Sequence, residues 1–455
     1  MRILIVGAGV VGFNLAQELS KEGHDIAIID KNREKIHRIS DSLDVLAIDG
    51  NACLPSILKK AGIEDAEMVI AVTNEDEINL LVCFLASRFK VKNRFARLRS
   101  LEFTGEGQIF SPEELFINQA INPGQIIIDT ILKIIQTPGV VNVAEFAKGE
   151  ILLREFDVPE NAPLAGKTIG ELSGVSEMDS FLIVAIVRQG KLLIPKSEDM
   201  IHGGDKIYTL VDKNFLPFLL PMLNKTVDEV TKVVIYGANQ VSISLAQALE
   251  EKINDLCLIE PDREKANQAA EKLSRCVVQH GSGTDPDLFN DINMQDSDFF
   301  LALSDDDENN ILSSLLAKKY GAKKTLAITN DPDYLPILDT IGMDITINPR
   351  LITVSAILKH VRKGAVLSVF KLIEDAEVME ISVDKDSSIV GKKIGKLKFP
   401  QDAIIGAILR EGEMMVPDNE IALEPGDSVI VVVLPKAIDK IEKLFGRKRH
   451  FLSFQ

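Results

Sequence analysis

The sequence is short of tryptophan, tyrosine, cysteine and long apolar runs. It has no tryptophan and only four tyrosines among 455 residues, so an aliphatic core is expected. The four cysteines, Cys53, Cys83, Cys257 and Cys276, stand far apart and form no Cys-x-x-Cys pair, which indicates free thiols, not a zinc or disulfide framework. Apolar runs such as 181–187 reach about seven residues, whereas a membrane-spanning helix needs roughly 20.

An excess of basic residues is also missing. The chain has 51 Lys and Arg against 68 Asp and Glu, and its net charge of −17 would repel a nucleic acid from a broad surface. Hydrophobic residues make up 46%, as in ordinary globular proteins, and the length predicts three or four domains of about 100–200 residues each. The first strand begins at Arg2 and leaves no room for a signal peptide, so we expect a cytoplasmic protein.

The chain repeats itself in order and spacing. GKTIGEL at 166–172 returns as GKKIGKL at 391–397, and AIVRQGKLLIP at 185–195 returns as AILREGEMMVP at 407–417. In earlier segments Gly7 pairs with Gly237 and Asp30 with Glu260, both at an offset of 230 residues. This pattern indicates two tandem copies of one larger unit.

Each copy divides into a larger and a smaller domain. Short apolar strands alternate with helical segments over 1–137 and 230–363, which predicts an α/β fold with Rossmann-like parallel sheets. The segments 140–224 and 366–455 are richer in strands and turns and predict small α+β domains, with a short helix around Thr168 to Leu172. The expected fold is therefore two tandem Rossmann-like domains, each followed by a small α+β domain.

A nearly all-apolar helix is expected between the larger and smaller domain of each copy. Seven of the ten residues from Ile126 to Ile135 are Ile or Leu, and the counterpart at 350–361 has the same character. A helix with one face in solvent needs only an apolar stripe. We therefore favour a dimer-type or pseudo-dimer interface for these helices over a simple core position.

Residues 3–12, ILIVGAGVVG, combine a strand, a glycine-rich turn and the start of a helix. Gly7 would make the tight turn, Gly9 would let a pyrophosphate approach the backbone, and Gly12 would permit close packing of helix on strand. The helix N-terminus would offer unpaired N–H groups to the phosphate. Asp30, at the end of the second strand, would accept the ribose hydroxyls and repel a 2′-phosphate, which favours NAD(H) over NADP.

Other polar side chains follow the remaining strand ends, where ligands of open parallel sheets bind. Thr73 and Asn74 follow the fourth strand, and Arg97 and Arg99 are expected to share a face of the fifth. Arg97 would lie beside the phosphates, with a solvated basic edge as the alternative. The candidate nucleotide-binding residues of the first copy are Gly7, Ala8, Gly9, Val10, Val11, Gly12, Asp30, Lys31, Asn51, Thr73, Asn74 and Arg97.

The second copy keeps the strand and the first glycine of this motif and changes the rest. In VVIYGANQVS at 233–242, Asn239 and Ser242 replace the second and third glycines, and Ile328 takes the place of Arg97. The Asn239 side chain would occupy pyrophosphate space, so we predict a strong NAD(H)-type site in the first copy and a weak, altered or empty one here. The candidate residues are Gly237, Ala238, Asn239, Gln240, Val241, Glu260 and Ser304.

The combination resembles the RCK family, the regulators of potassium conductance. The resemblance lies in GAGVVG with Asp30, DGNA at 49–52, VTNEDEIN at 72–79, ARLR at 96–99, and the small domain with GKxIGxL and a Gly-Asp turn. Two such units in one chain resemble the TrkA family, cytoplasmic regulatory subunits of prokaryotic Trk potassium-uptake systems.

This resemblance implies N-type RCK domains at 1–137 and 230–363 and C-type domains at 140–224 and 366–455. It further implies a homo-oligomeric ring, dimer or tetramer, peripheral on the cytoplasmic face of the membrane. Such a ring would gate a TrkH-type potassium channel in response to NAD(H), and ATP or ADP are further candidate ligands.

Two other functions stay open at this point. An NAD-dependent dehydrogenase would need a general acid or base, but the six histidines form no recognisable constellation; His202 is expected in an exposed turn and His280 in a loop or beside a nucleotide. A regulator of a different cation transporter is equally compatible with the residues. The acidic run at 305–308 is expected to open a helix, not to bind a metal, and the basic segment 447–450 to be a solvated terminus.

Overall fold

The computed structural model describes residues 1–21, 23–103, 110–136, 141–172, 180–224, 229–361, 366–372 and 376–445. The chain divides into two compact units, and each combines a segment from both copies. The first unit contains 1–135 and 230–358, and the second contains 136–229 and 359–455. The two larger domains therefore belong to one unit and the two smaller domains to the other. The basic segment 447–450 lies outside the described residues.

The first larger domain is a six-stranded parallel sheet with the order β3-β2-β1-β4-β5-β6. Its strands are β1 (Arg2–Val6), β2 (Asp25–Asp30), β3 (Leu46–Asp49), β4 (Met68–Ala71), β5 (Asn93–Arg97) and β6 (Gln119–Ile121). Its helices are α1 (Val10–Lys21), α2 (Arg33–Ser42), α3 (Pro55–Lys60), α4 (Asp76–Arg88) and α5 (Pro123–Gln136). The strand order reverses between β1 and β4, which is where open α/β sheets bind their ligands.

The first smaller domain is a five-stranded antiparallel sheet with the order β10-β9-β11-β8-β7. Its strands are β7 (Val141–Phe146), β8 (Ile151–Asp157), β9 (Phe181–Arg188), β10 (Lys191–Leu193) and β11 (Lys206–Asp212). Its helices are α6 (Ile169–Leu172) and α7 (Leu216–Met222). The short helix predicted around Thr168 to Leu172 is confirmed as α6.

The second larger domain repeats the parallel sheet in the order β14-β13-β12-β15-β16-β17. Its strands are β12 (Lys232–Tyr236), β13 (Asp255–Glu260), β14 (Val277–His280), β15 (Phe299–Ala302), β16 (Lys324–Ile328) and β17 (Ile345–Ile347). Its helices are α8 (Gln240–Leu249), α9 (Arg263–Lys272), α10 (Pro286–Asp291), α11 (Asp307–Lys319), α12 (Leu335–Thr340) and α13 (Pro349–Val361). The order matches that of the first sheet strand for strand, which confirms the duplication.

The second smaller domain repeats the antiparallel sheet in the order β18-β19-β22-β20-β21. Its strands are β18 (Val366–Lys371), β19 (Glu377–Ser382), β20 (Ala403–Arg410), β21 (Glu413–Met415) and β22 (Ser428–Val433), followed by α14 (Ile438–Phe445). In the part of the chain that the structure describes, no helix is both long and apolar enough to span a bilayer. The predicted fold class, tandem Rossmann-like domains with small α+β domains, is confirmed.

The two smaller sheets share one hydrophobic core, which draws buried side chains from both copies. At its centre a Cβ on Gly406 would lie 2.8 Å from Cγ1 of Val184 and would also clash with Leu210. The buried carboxylate of Glu380 joins the copies as well, since it accepts a 3.1 Å hydrogen bond from the Ala147 N–H. The absence of a side chain at Gly406 therefore sets how closely the two sheets approach.

The repeated Gly-Asp turn has a structural role in each smaller domain. Asp205 is 2% exposed, and the Arg188 guanidinium donates to both of its oxygens at 2.7–2.8 Å. Arg410 donates in the same way to Asp427 at 2.8–2.9 Å. Burial alone would raise the pKa of Asp205, but the hydrogen bonds from Arg188 and from the His202 N–H outweigh burial and lower that pKa. The motif thus fixes the end of β9 to the turn before β11, and the end of β20 to the turn before β22.

Candidate nucleotide-binding sites

The three glycines of the first loop are present for different structural reasons. Gly7 has a φ of +107°, and a Cβ there would lie 3.0 Å from the Thr73 nitrogen. A Cβ at Gly12 would overlap the Gly7 carbonyl oxygen, so this position must be glycine for α1 to begin where it does. A Cβ at Gly9 would meet no protein atom within 4 Å. Gly7 and Gly12 are therefore required by the turn itself, whereas Gly9 leaves open space above the loop.

Asp30 connects this loop to the end of β2. One carboxylate oxygen accepts a 2.6 Å hydrogen bond from the Ala8 N–H, and the other accepts a 2.8 Å bond from the Asn32 N–H. A carboxylate has about four lone-pair positions, so both oxygens retain acceptor capacity for ribose hydroxyls. Lys31, the next residue, is exposed and donates to Glu75 at 2.9 Å. Asp30 therefore ends β2 next to the loop, and its contact with a ribose stays a prediction.

A buried asparagine that the sequence did not single out positions Thr73. The Asn79 side chain is fully buried; its oxygen accepts from the Thr73 N–H at 2.9 Å and from the Thr73 hydroxyl at 2.8 Å. Its amide donates to the carbonyls of Thr73 at 3.1 Å and Arg97 at 2.8 Å. Asn79 therefore ties the carboxyl ends of β4 and β5 together.

The second copy repeats this arrangement. Asn310 accepts from the Ser304 N–H at 2.9 Å and hydroxyl at 2.7 Å, and donates to the carbonyls of Ser304 at 2.8 Å and Ile328 at 3.0 Å. An asparagine six residues after Thr73 and again six after Ser304 is the sequence signal that could have revealed these residues.

Arg97 ends β5 and faces few polar partners. Its Nη1 donates to the Asn74 side chain at 3.2 Å, while its Nε is buried without a hydrogen-bond partner among the described residues. Burial, together with the neighbouring charges of Arg99 and Arg350, lowers the pKa of Arg97 to about 10, although Asp76 acts in the opposite direction. Arg97 is thus a charged group at neutral pH with unmet hydrogen-bonding capacity.

The prediction that Arg97 and Arg99 share a strand face is wrong for Arg99. Strand β5 ends at Arg97, and Arg99 is exposed in the segment that follows. The chain leaves the strand because the Asp76 carboxylate accepts hydrogen bonds from the backbone N–H groups of Arg99 and Ser100 at 2.9–3.0 Å.

The second loop keeps the path of the first but fills it with a side chain. Gly237 has a φ of +97°, and the Ala238 N–H donates to Glu260 at 2.6 Å, as in the first copy. The Asn239 side chain donates to the Leu303 carbonyl at 2.6 Å and accepts from the Ser242 N–H at 3.0 Å. It therefore caps α8, so an N–H group that a phosphate would need is already bonded within the chain. Gln240 and Val241 form the first turn of that helix.

The family assignment follows from comparison with known sequences. The TrkA-N domain matches residues 3–123 and 233–349, and the TrkA-C domain matches 153–214 and 378–446. The chain belongs to the TrkA family. One relative, the Trk system potassium uptake protein TrkA of Halomonas elongata, is 34% identical over 98% of both chains.

Solved structures agree on the fold of this TrkA-family chain. A crystal structure of the GsuK RCK domain is 18% identical with a TM-score of 0.59, covering 98% of this chain and 94% of that one. A GsuK channel bound to NAD has the same identity and TM-score, covering 98% of this chain and 78% of that one. The predicted fold is thereby confirmed.

The remaining candidate residues of the TrkA-family chain have local partners. The Asn51 side chain accepts from the Cys53 N–H at 2.9 Å, and the His280 Nε2 lies 3.1 Å from the Pro261 carbonyl. Asp306 caps α11 through a 2.9 Å bond from the Asn309 N–H, as expected for an acidic run that opens a helix. Across the described ranges, no group of three or more His, Cys, Asp or Glu side chains could hold a metal ion.

The first loop of the TrkA-family chain leaves open space at Gly9, whereas the Asn239 side chain occupies the equivalent position of the second loop. Above Gly9 there is free space, and glycine has no side chain with which to cap α1 in the way that Asn239 caps α8. The carboxylate of Asp30 adds an acceptor for hydroxyls, and the Nε of Arg97, which has no partner within the described ranges, adds a donor for anions. In the second copy the Asn239 cap and the apolar Ile328 replace two of these features.

Proposed function

We propose that this chain is a nucleotide-sensing regulatory subunit of a Trk potassium-uptake system and that it gates a TrkH-type membrane channel. The observation that carries the proposal is a glycine loop with open space at Gly9, in a TrkA-family chain that covers 98% of a TrkA relative. The ligand proposed for this loop is NAD(H), with ATP or ADP as further ligands of the same site. A channel of related fold is bound to NAD, which supports this choice.

Different residues of the first copy would bind the phosphates and the ribose of the nucleotide. The start of α1 at Val10 and Val11 would hold the phosphates, and Asp30 would hold the ribose. Thr73 and Asn74 would lie beside the ribose, and Arg97 beside the phosphates. Asp30 would disfavour NADP because its charge repels a 2′-phosphate.

A set of hydrogen bonds leads from this site to the start of α5. Asn79 bonds the Arg97 carbonyl, and Asn122 bonds the Ser100 carbonyl at 3.4 Å while it accepts from the Gln125 N–H at the start of α5. Helix α5 then runs to Gln136, where the second compact unit begins. A nucleotide can shift a conformational equilibrium only by its differential affinity for the two states. We propose that α5 passes on the difference between the nucleotide-bound states.

The proposed subunit is a homo-oligomer, peripheral on the cytoplasmic face of the membrane, and it acts without turning over its nucleotide. A dehydrogenase would need an acid or base free to meet a substrate, and His280 is already bonded to the Pro261 carbonyl. The same regulatory site would also serve another cation transporter, so the partner has to be tested directly.

The gating proposal is tested by reconstituting a TrkH-type channel with this protein and recording its open probability. We expect the open probability to differ between NAD(H), ATP, ADP and no nucleotide, and we expect an Arg97→Gln variant to respond only at higher nucleotide concentration. The same open probability in all four conditions would contradict the proposal, and measurable turnover of NADH with a simple substrate would contradict the non-enzymatic role.

A further inference from the structure

The first candidate site has a positive charge, Arg97, for which the described residues of the first copy supply no direct carboxylate partner. Arg97 is half-buried, its Nη1 donates to the neutral Asn74 side chain, and its Nε has no partner among the described residues. The nearby carboxylate of Asp76 accepts from the backbone of Arg99 and Ser100. A half-buried guanidinium in this state favours an anionic ligand.

A second arginine acts on this group from the other copy. Arg350 is the second residue of α13, and the Asn348 side chain caps that helix by accepting from the Arg350 and Leu351 N–H groups at 3.0 Å. The helix starts at the carboxyl edge of the second sheet, directly after β17. The charge of Arg350 nevertheless contributes to the lowered pKa of Arg97 in the first sheet.

A contact between the two copies is seen directly at the second loop, between Gly124 and Val241. Gly124, the second residue of α5, is the counterpart of Arg350, since Pro123 and Pro349 begin the two helices. A Cβ on Gly124 would lie 3.2 Å from Cγ2 of Val241, in the first turn of α8. The start of α5 in the first copy therefore lies against α8, the helix that follows the glycine loop of the second copy. From the repeat we infer the equivalent placement of Arg350 near the first turn of α1, in agreement with its effect on the neighbouring Arg97.

We propose that Arg350 of the second copy completes the first nucleotide site by supplying a second cation to the phosphates beside Arg97. This inference rests on the nucleotide site proposed above. It identifies the ligand class as a nucleotide with a diphosphate or longer phosphate chain, because two cations at the start of α1 favour concentrated negative charge. The second site has neither cation, since Gly124 and Ile328 stand in their places.

The consequence is that the ligand contacts both copies at once. A nucleotide bound on α1 would be held by the loop of the first copy and by the first turn of α13 in the second. Since α5 and α13 both continue toward the smaller domains, such a ligand would be sensitive to the relative position of the two copies.

The test is calorimetric titration of the full-length protein with ADP and with NAD. We expect Arg350→Gln to weaken both affinities by about tenfold or more, the usual effect of losing a charge-assisted contact. Arg350→Lys keeps the charge, so its nucleotide affinity is expected to stay within about threefold of the wild-type value. That change is smaller than the effect of losing one charge-assisted contact. Arg275→Gln is the matched control, since it removes an exposed arginine at the amino end of β14, the opposite sheet edge from the loops.

The outcomes separate the inference from the site on which it rests. Wild-type affinity in Arg350→Gln would overturn the inference while leaving the nucleotide site intact. An equal loss in Arg350→Lys and Arg350→Gln would also overturn it, because a structural role for the side chain would then replace the charge. Wild-type protein that binds neither ADP nor NAD would contradict the nucleotide site itself. A thermal unfolding midpoint, measured for each variant, shows whether the fold is preserved.

Discussion

At the scale of single residues, two loops with the same backbone path differ in what they leave for a ligand. Gly7 and Gly237 both have positive φ, and both Ala8 and Ala238 donate to the acid that ends the second strand. The difference lies in the side chain at the third position of the loop. Glycine leaves open space and offers no capping side chain, whereas Asn239 fills the space and caps α8.

The two glycines that follow Gly7 are expected to respond differently to substitution by alanine. Gly9→Ala adds a methyl group to open space, so the thermal unfolding midpoint should stay within about 1 °C, while NAD(H) affinity should fall by about tenfold or more. Gly12→Ala drives a Cβ into the Gly7 carbonyl and should lower the midpoint strongly. Differential scanning calorimetry and nucleotide titration check both results. Unchanged affinity in Gly9→Ala would remove this position from the phosphate site.

At the scale of elements, a buried asparagine joins neighbouring strand ends in each large domain. Asn79 and Asn310 each use their amide to bond two carbonyls and a backbone N–H, at the edge where a ligand would lie. Neither side chain is exposed. Each of the two residues thus joins the same two strand ends in its own domain, but only Asn79 lies in the domain whose loop leaves open space, at Gly9.

The two asparagines form a matched pair for substitution. Asn79→Ala and Asn310→Ala both leave buried backbone groups without partners and should each destabilise the fold by about 3 kcal/mol. Only Asn79→Ala should also weaken nucleotide binding, because Thr73 and Arg97 lose their common support. Thermal unfolding and titration of both variants measure the two effects separately. Equal nucleotide affinity in the two variants would contradict the placement of the site in the first copy.

Strand and helix periodicity predicted the elements well because each strand is an apolar run between turns. The repeat and the glycine motif also predicted the loop and the position of Asp30. The position of Arg99 could not be predicted, since the end of β5 depends on hydrogen bonds to Asp76 from another element. Asn79 was missed because a polar residue on a helix reads as solvent-facing until its partners on two strands are known.

At the scale of the whole molecule, the two copies pair within each compact unit. The smaller sheets share a core in which Val184 packs where Gly406 has no side chain, although the repeat makes these positions equivalent. In the larger domains, Gly124 lies against Val241 in the same cross-copy manner. This contact is consistent with the expectation of a dimer-type or pseudo-dimer interface at α5 and α13. Duplication has thus given a symmetric frame with different residues at equivalent positions.

The pairing of the smaller sheets can be tested at Gly406. Gly406→Ala should overpack the shared core and destabilise the second unit by about 1–3 kcal/mol, because Leu210 and Val184 occupy the space of the added methyl group. The double variant Gly406→Ala with Val184→Ala restores space and should recover part of the loss. The measurement is the unfolding midpoint of each variant. A midpoint unchanged by Gly406→Ala would contradict the close approach of the two sheets.

The central claim is that one chain has one strong nucleotide site, in its first copy. It is tested most directly by calorimetric titration of the purified protein with NADH, NAD, ATP and ADP, with the stoichiometry fitted per chain. We predict one high-affinity nucleotide per chain, with its affinity lowered by about tenfold or more in Gly9→Ala and unchanged when Glu260 in the second copy is changed to Gln. Two nucleotides of equal affinity per chain would contradict the claim.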